Sequence, residues 1–340
     1  MKRTAIITAA LFLLITAGCA KKTQNEKIPV RVLILPKFEV GEMSGDFPGE
    51  AQYFYEEYLI DADSYAIEGS PNHEKLYYKD GIAMFLCGQG KISAALSTAA
   101  VLSDQRFDFS GANILSVGCG GSAEGNSIFG DVCVISAAVD YDLGHHADPR
   151  EMSGDSETTW FHDESFDDSS AVSLDETLTE SVYELIKDIQ PQTTESTVNY
   201  LKKQYPDEAW AQRQPAVIRG TAVTSDNFWK GKYNHSNAVK ITETYHCKDP
   251  YAITEMEDIA VCRAVQSHGL LDRLIILRVS VNMDTFPEGV TPEMLWGEET
   301  EDHIASDDSM ESVDIFATAM ENCFEAGKKV IDTILEGKLQ

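Results

Sequence analysis

Residues 81–87 form an apolar run that passes through Gly88-Gln89-Gly90-Lys91 into the alanine-rich stretch 92–102. Residues 112–117 do much the same, ending in Gly118-Cys119-Gly120-Gly121. A strand, a glycine turn and a helix in that order is the unit from which layered α/β structures are built. It also leaves backbone amides open at the helix start, so Gly90 and Lys91 are expected to face an anionic or polar ligand, and Gly120 to let the backbone approach it. The spacing matches neither a phosphate-binding P-loop nor a dinucleotide fingerprint.

The rest of the chain extends the pattern. Residues 30–35 read as a first buried strand, followed by a loop that sets Glu39, Glu42, Asp46 and Glu50 among glycines. Gly130 turns into a strand over residues 131–139. Residues 178–189 and 198–205 have helical spacing, and residues 217–223 read as a strand. That strand runs into Thr224-Ser225-Asp226-Asn227-Phe228-Trp229, where two aromatics and small polar groups offer a platform for a flat ligand or simply pack into the core. A strand over residues 274–281 ends in Asn282-Met283-Asp284, and strand ends are where α/β sheets place ligand contacts. Ile315, Ala319, Cys323, Ala326, Val330 and Ile334 stripe a last amphipathic helix. Residues 151–180 turn acidic and serine-rich, which predicts a surface insertion.

Composition limits the functions open to the chain. With 340 residues, 43% hydrophobic and 24% charged, it is expected to fold as one compact domain. A formal net charge of -29 argues against a nucleic-acid or anionic-membrane partner, because no general basic field exists to attract one. Residues 1–19 read as a signal peptide: Lys2 and Arg3, an apolar run, then Thr16-Ala17-Gly18-Cys19, which resembles a bacterial lipobox with threonine where leucine is usual. Cys19 is then the lipidated first residue of an exported protein, residues 20–29 a tether, and residues 30–340 the domain. Beyond the signal no stretch approaches the ~20 apolar residues of a membrane helix. The other six cysteines are scattered through apolar runs and read as buried small residues. The Asp140-Tyr141-Asp142-Leu143-Gly144-His145-His146 segment lacks metal-ligand spacing, so no metal is expected.

Thr254-Glu255-Met256-Glu257-Asp258 is the densest cluster of acids next to an apolar helical pattern. If it enters as a strand, Glu255 and Glu257 share a face. A carboxylate suits the vicinal hydroxyls of a sugar, and methionine makes an adaptable apolar wall; an acidic first helical turn is the alternative.

Taken in order, Pro36-Lys37-Phe38-Glu39, Gly45-Asp46-Phe47-Pro48-Gly49-Glu50, Gly88-Gln89-Gly90-Lys91, Asp140-Tyr141-Asp142-Leu143-Gly144-His145, Thr224-Ser225-Asp226 and Thr254-Glu255-Met256-Glu257-Asp258 resemble the purine nucleoside permease family from about residue 30 to the end. That family looks like a distant branch of the nucleoside phosphorylases and nucleosidases. The resemblance implies a three-layer α/β/α fold with a mixed central sheet and a purine nucleoside as ligand. It places the ribose on Met256 and Glu257, the base beside Ser225, Asp226 and Phe228, and Asn282 at the purine N7 side. Glu39 is the group that would orient a nucleophilic water. Asn282 stands where the nucleosidases carry aspartate, and an amide cannot give up a proton as a carboxylic acid does. Three functions are open: a lipid-anchored nucleoside-binding protein that serves uptake with a separate transporter, an enzyme cleaving the N-glycosidic bond, or a surface protein that keeps the fold without a ligand. No cofactor is implied. A phosphorylase would need phosphate as co-substrate, for which Lys91, Arg278 and helix amides are the nearby donors. Homo-oligomers are common in the superfamily.

Overall fold

The structure is a computed structural model that describes residues 26–154, 156–206, 208–287, 289–296 and 307–339. The signal segment and Cys19 lie outside the described residues. Ten strands form the main sheet: β1 (Val32–Leu35), β2 (Asp63–Ala66), β3 (Lys75–Lys79), β4 (Ile82–Met84), β5 (Asn113–Ser122), β6 (Val132–Asp140), β7 (Ala171–Ser173), β8 (Val217–Thr224), β9 (Tyr251–Glu255) and β10 (Leu274–Met283). Their order is β7-β6-β8-β9-β5-β1-β4-β3-β2, with β10 pairing to both β5 and β6. Strands β1, β4 and β10 run parallel to their neighbours along β1 and β5, whereas β9 meets β5 and β10 meets β6 antiparallel. The sheet is mixed, and the pairings β5-β10-β6-β8-β9-β5 close a ring at its centre.

Helices cover both faces. On one side lie α2 (Lys91–Ser103) and α6 (Asp258–Ser267), burying Ala94, Val101, Ile259, Val261 and Val265 against Leu33, Phe85, Ile114 and Ile276. On the other lie α1 (Gln52–Tyr58), α3 (Glu176–Ile186) and α7 (Asp307–Leu335), burying Phe54, Val182, Ala319, Cys323 and Val330 against Ile34, Val117, Val134 and Leu277. The central strands are apolar on both faces because helices shield both, as sheets with parallel crossovers require. Two further helices, α4 (Glu195–Gln204) and α5 (Lys232–Thr244), pack at the periphery. The result is a three-layer α/β/α fold. Every expected strand and helix above is present, with ends shifted by a few residues.

One expectation changes. The acidic stretch 151–180 is more than a surface insertion, because Ala171–Ser173 pairs antiparallel with β6 as the edge strand of the sheet. Trp160, Val172, Leu174 and Leu178 within it are buried. Most of its described apolar residues pack, although Phe161 is 46% exposed, and most of its described acids face water.

Candidate active site

The glycine run of β5 sits where that strand leaves β1 and joins β9. Arg278 of β10 lies beside Gly118, and Asn282 beside Gly121, after a register shift past Ser280. A Cβ on Gly118 would come within 2.6 Å of both Arg278 Nη1 and Glu50 Oε1, and one on Gly121 within 2.7 Å of Asn282 Oδ1. These glycines are the space in which the side chains of the site stand. Gly120 departs from expectation: its missing Cβ faces the Thr254 carbonyl at 2.5 Å, so this glycine admits strand β9 and not a ligand.

Arg278 is 1% exposed and organises what surrounds it. Its Nε donates to Asp258 Oδ2 at 2.9 Å, its Nη1 to the Cys119 carbonyl at 3.0 Å, and its Nη2 to Asp258 Oδ1 (2.7 Å), Glu255 Oε2 (3.0 Å) and Glu257 Oε2 (3.2 Å). A buried guanidinium is tolerated only when its donors are answered, and here they are. Glu255 ends β9 and caps α6. Its Oε2 accepts from the amides of Glu257 and Asp258, both at 2.6 Å, and its Oε1 accepts from the Thr224 hydroxyl. Burial, then the charge of Asp258, raises its carboxyl to about 8 against the pull of Arg278. With its side chain wholly buried, Glu255 positions the α6 start; of the two acids that sequence places on one face, it is Glu257 whose carboxylate keeps some exposure, 6% against 0%.

Glu257 occupies the N-cap position of α6 with no side-chain bond to its own helix. Its carboxylate is 6% exposed and bridges the sheet: Oε2 to Arg278, and Oε1 accepting the Gly90 amide at 3.0 Å. Met256, beside it, is half-buried. Asn282 is half-buried too, and its side chain has no hydrogen-bond partner among the described residues. Asn282 thus stands at Gly121, and Glu257 is held by Arg278 of β10 on one side and by the start of α2 on the other.

The turn at residues 224–228 folds against the same helix. Asp226 Oδ1 accepts the Lys91 amide at 2.8 Å, and a Cβ on Gly90 would press on that oxygen at 3.2 Å. Ser225, fully buried, donates to Asp142 Oδ1 at 2.7 Å. Lys91 Nζ closes on Asp140 (2.9 Å) and Asp142 (2.8 Å). Burial works against the charge on Lys91, but the hydrogen bonds it donates to Asp142 and Asp140 outweigh it and hold the ammonium above its usual value. Asp142 stays below its usual value despite burial, because Lys91 and Ser225 both bond it, whereas deeper burial raises Asp140. The Asp140 to His146 segment thus answers Lys91. The base platform differs from expectation: Phe228 is 68% exposed, and Trp229 stacks on Tyr141 with centroids 5.0 Å apart. Trp229 takes the core-packing alternative, and Phe228 stands out to solvent.

Glu39 also departs from its expected role. Its Oε1 accepts the amides of Val40 and Gly49, and its Oε2 those of Ala51 (2.9 Å) and Gln52 (2.7 Å), so it clamps the loop onto the start of α1. No oxygen is left to orient a water in this arrangement. The acid that reaches the site from this loop is Glu50, which accepts from the Lys37 amide (2.7 Å) and the Cys119 amide (2.8 Å) and whose carboxyl burial pushes up. Lys37 is itself buried, its Nζ on Ser116 Oγ at 2.6 Å and on the carbonyls of Leu35 and Val117. The sequence marks Glu50 only as one of several loop acids that could approach a ligand, and gives Lys37 no separate role. For Lys37 the signal was the charge itself, set just past the end of an apolar strand, where it needs partners.

Three layers around a mixed sheet, with acidic groups gathered at its central glycines, define a nucleoside phosphorylase-like α/β protein. Solved structures with this fold include a Helicobacter pylori 5′-methylthioadenosine/S-adenosylhomocysteine nucleosidase carrying 5′-methylthioadenosine (TM-score 0.55, 15% identity, 89% of this chain and 98% of that one). A futalosine hydrolase of the same organism is similar (TM-score 0.55, 16% identity, 89% and 99% covered). The chain itself belongs to the purine nucleoside permease family, whose model matches residues 29–338. A Schizosaccharomyces pombe protein named a probable purine nucleoside permease is 26% identical over 277 residues, 75% of this chain and 76% of that protein. Among the described residues, no helix is long and apolar enough to cross a membrane.

Proposed function

We propose that this protein binds a purine nucleoside at the β5 glycines, with the sugar hydroxyls on Glu257, Met256 behind the sugar and Asn282 toward the base. The observation that carries this reading is the placement of Glu257: a buried carboxylate fixed from two sides and preceded by a methionine, on the sheet region whose Gly121 is faced by Asn282, a side chain with no hydrogen-bond partner among the described residues. A carboxylate oxygen has a second lone pair for a hydroxyl donor, and a pre-fixed one loses little entropy on binding. The family name supports a role in nucleoside uptake. The apolar N-terminal segment and Cys19 support lipid anchoring and export, and transport then needs a separate membrane-spanning partner. Titration calorimetry of the mature protein with adenosine, guanosine and inosine tests the binding; absence of heat with all three sinks it. Replacing Glu257 by alanine removes a hydrogen bond to a charged group and is expected to weaken binding about 10- to 100-fold. Loss of the protein from the membrane fraction on Cys19→Ser tests the anchor.

A second reading is cleavage of the N-glycosidic bond, favoured by the buried carboxylates Glu50 and Glu257, which suit a sugar that gains positive charge as the base leaves. Water would add at the anomeric carbon and the base would depart with a proton. Asn282 supplies a hydrogen bond there but no proton, so this reading requires another donor. Chromatography of inosine incubated with the protein separates the two: free hypoxanthine establishes cleavage, unchanged inosine with measurable binding favours the receptor.

A further inference from the structure

We propose that Asp226 and Glu257 act as resident anions that close this site to phosphate, so that its ligand is an uncharged nucleoside without a phosphate co-substrate. The inference deepens the nucleoside reading and rests on it for the identity of the ligand. A helix start opened by glycines is a ready anion site, since its amides point outward and its dipole favours negative charge. In this protein two of those amides are already answered from far along the chain: Gly90 by Glu257, and Lys91 by Asp226. Gly90, at φ 81°, is what lets Asp226 come so close, because a side chain there would press on its carboxylate.

The cations that would hold phosphate are engaged as well. Lys91 Nζ lies on Asp140 and Asp142, and Arg278 gives all of its bonds to Glu255, Glu257, Asp258 and the Cys119 carbonyl. With Glu50 included, seven carboxylates stand against the three cations Lys37, Lys91 and Arg278. Even with Glu255 protonated the excess is negative. A phosphate dianion bound by the Gly90 amide, Lys91 or Arg278 would have to displace a carboxylate from that donor and sit among those it displaced. At partly buried separations each such repulsion reaches a few kcal/mol, or on the order of 100-fold in affinity. A neutral ligand meets no such barrier and finds acceptors for its hydroxyls.

The test uses inorganic phosphate as probe. Calorimetric titration of phosphate into the wild-type protein at constant ionic strength is expected to give no binding heat, and adenosine affinity is expected to be the same in phosphate and in chloride buffer. Asp226→Ala frees the Lys91 amide and removes one charge, and phosphate binding is expected to appear. Asp226→Asn, which keeps an acceptor on the Lys91 amide, serves as the conservative control and is expected to bind phosphate less well than the alanine variant. Phosphate binding by the wild type, or release of free base only when phosphate is present, overturns the proposal while leaving nucleoside binding intact. Wild type and Asp226→Ala that are equally blind to phosphate overturn the assignment to Asp226. If no nucleoside binds, the purine reading falls, and the phosphate titration still decides the exclusion.

Discussion

Replacing Arg278 by methionine removes the one guanidinium that joins β10 to the start of α6. The side chain is 1% exposed, and it answers three carboxylates and a carbonyl. Methionine has a similar length and fills much of the space, so lost packing is a minor part of the effect. The major part is that Glu255, Glu257 and Asp258 are left buried with no opposite charge between them. Breaking a buried ion pair by deleting one partner costs roughly 3–5 kcal/mol. Against a total stability of about 5–15 kcal/mol for a domain, that is a large fraction. The loss has a signature in pH. Glu255 already titrates above its usual value because it is buried, and Arg278 pulls it down; without that pull it rises further above the unfolded chain's value, so the folded state binds more protons and stability falls as pH rises. Urea unfolding of wild type and variant at about pH 5 and pH 8 checks this, with the deficit expected to be larger at the higher pH. Adding Glu255→Gln to the variant removes one orphaned charge and is expected to restore part of the loss. A deficit below about 1 kcal/mol, or one that does not change with pH, would refute the claim that Arg278 neutralises this cluster.

Glu39→Ala removes the acceptor of four backbone amides and is expected to cost about 1–2 kcal/mol, the scale of a lost helix cap, while adenosine binding persists; unfolding curves and calorimetry read the two effects separately. His235 Nδ1 lies 2.7 Å from Asp284, which also accepts from Tyr251 at 2.8 Å. Burial lowers the imidazole but Asp284 outweighs it and raises its pKa, so this pair contributes stability that is full below the unfolded value of about 6.5 and is lost as pH rises through the folded one. His235→Gln is therefore expected to destabilise more at about pH 6 than at pH 8, and equal losses at both would contradict the pairing.

The layered architecture was legible because its signals are local. Apolar runs such as 112–117 and 274–281 must be buried strands whatever surrounds them, and the alanine run after Gly90 has both helix propensity and a helical start. The stripe from Ile315 to Ile334 announces its buried face in the same way. The presence of acids beside Met256 was visible too, and so was the family resemblance carried by those segments. What each acid does was not. Glu255 and Glu257 are two residues apart and of the same type, yet one caps α6 with a single oxygen and holds Thr224 with the other, while the second reaches across to Gly90. Glu39 and Glu50 share one loop, and the first clamps that loop while the second enters the site. Lys91 and the open amides of α2 looked like an anion cradle because sequence shows donors but not the distant acceptors that answer them. A carboxylate's role depends on which donors come within about 3 Å, and those donors lie up to 167 residues away along the chain. Sequence determined the layers and the chemical inventory; only the closure of β5, β9 and β10 around the glycines decided which charges meet and which atoms remain for a ligand.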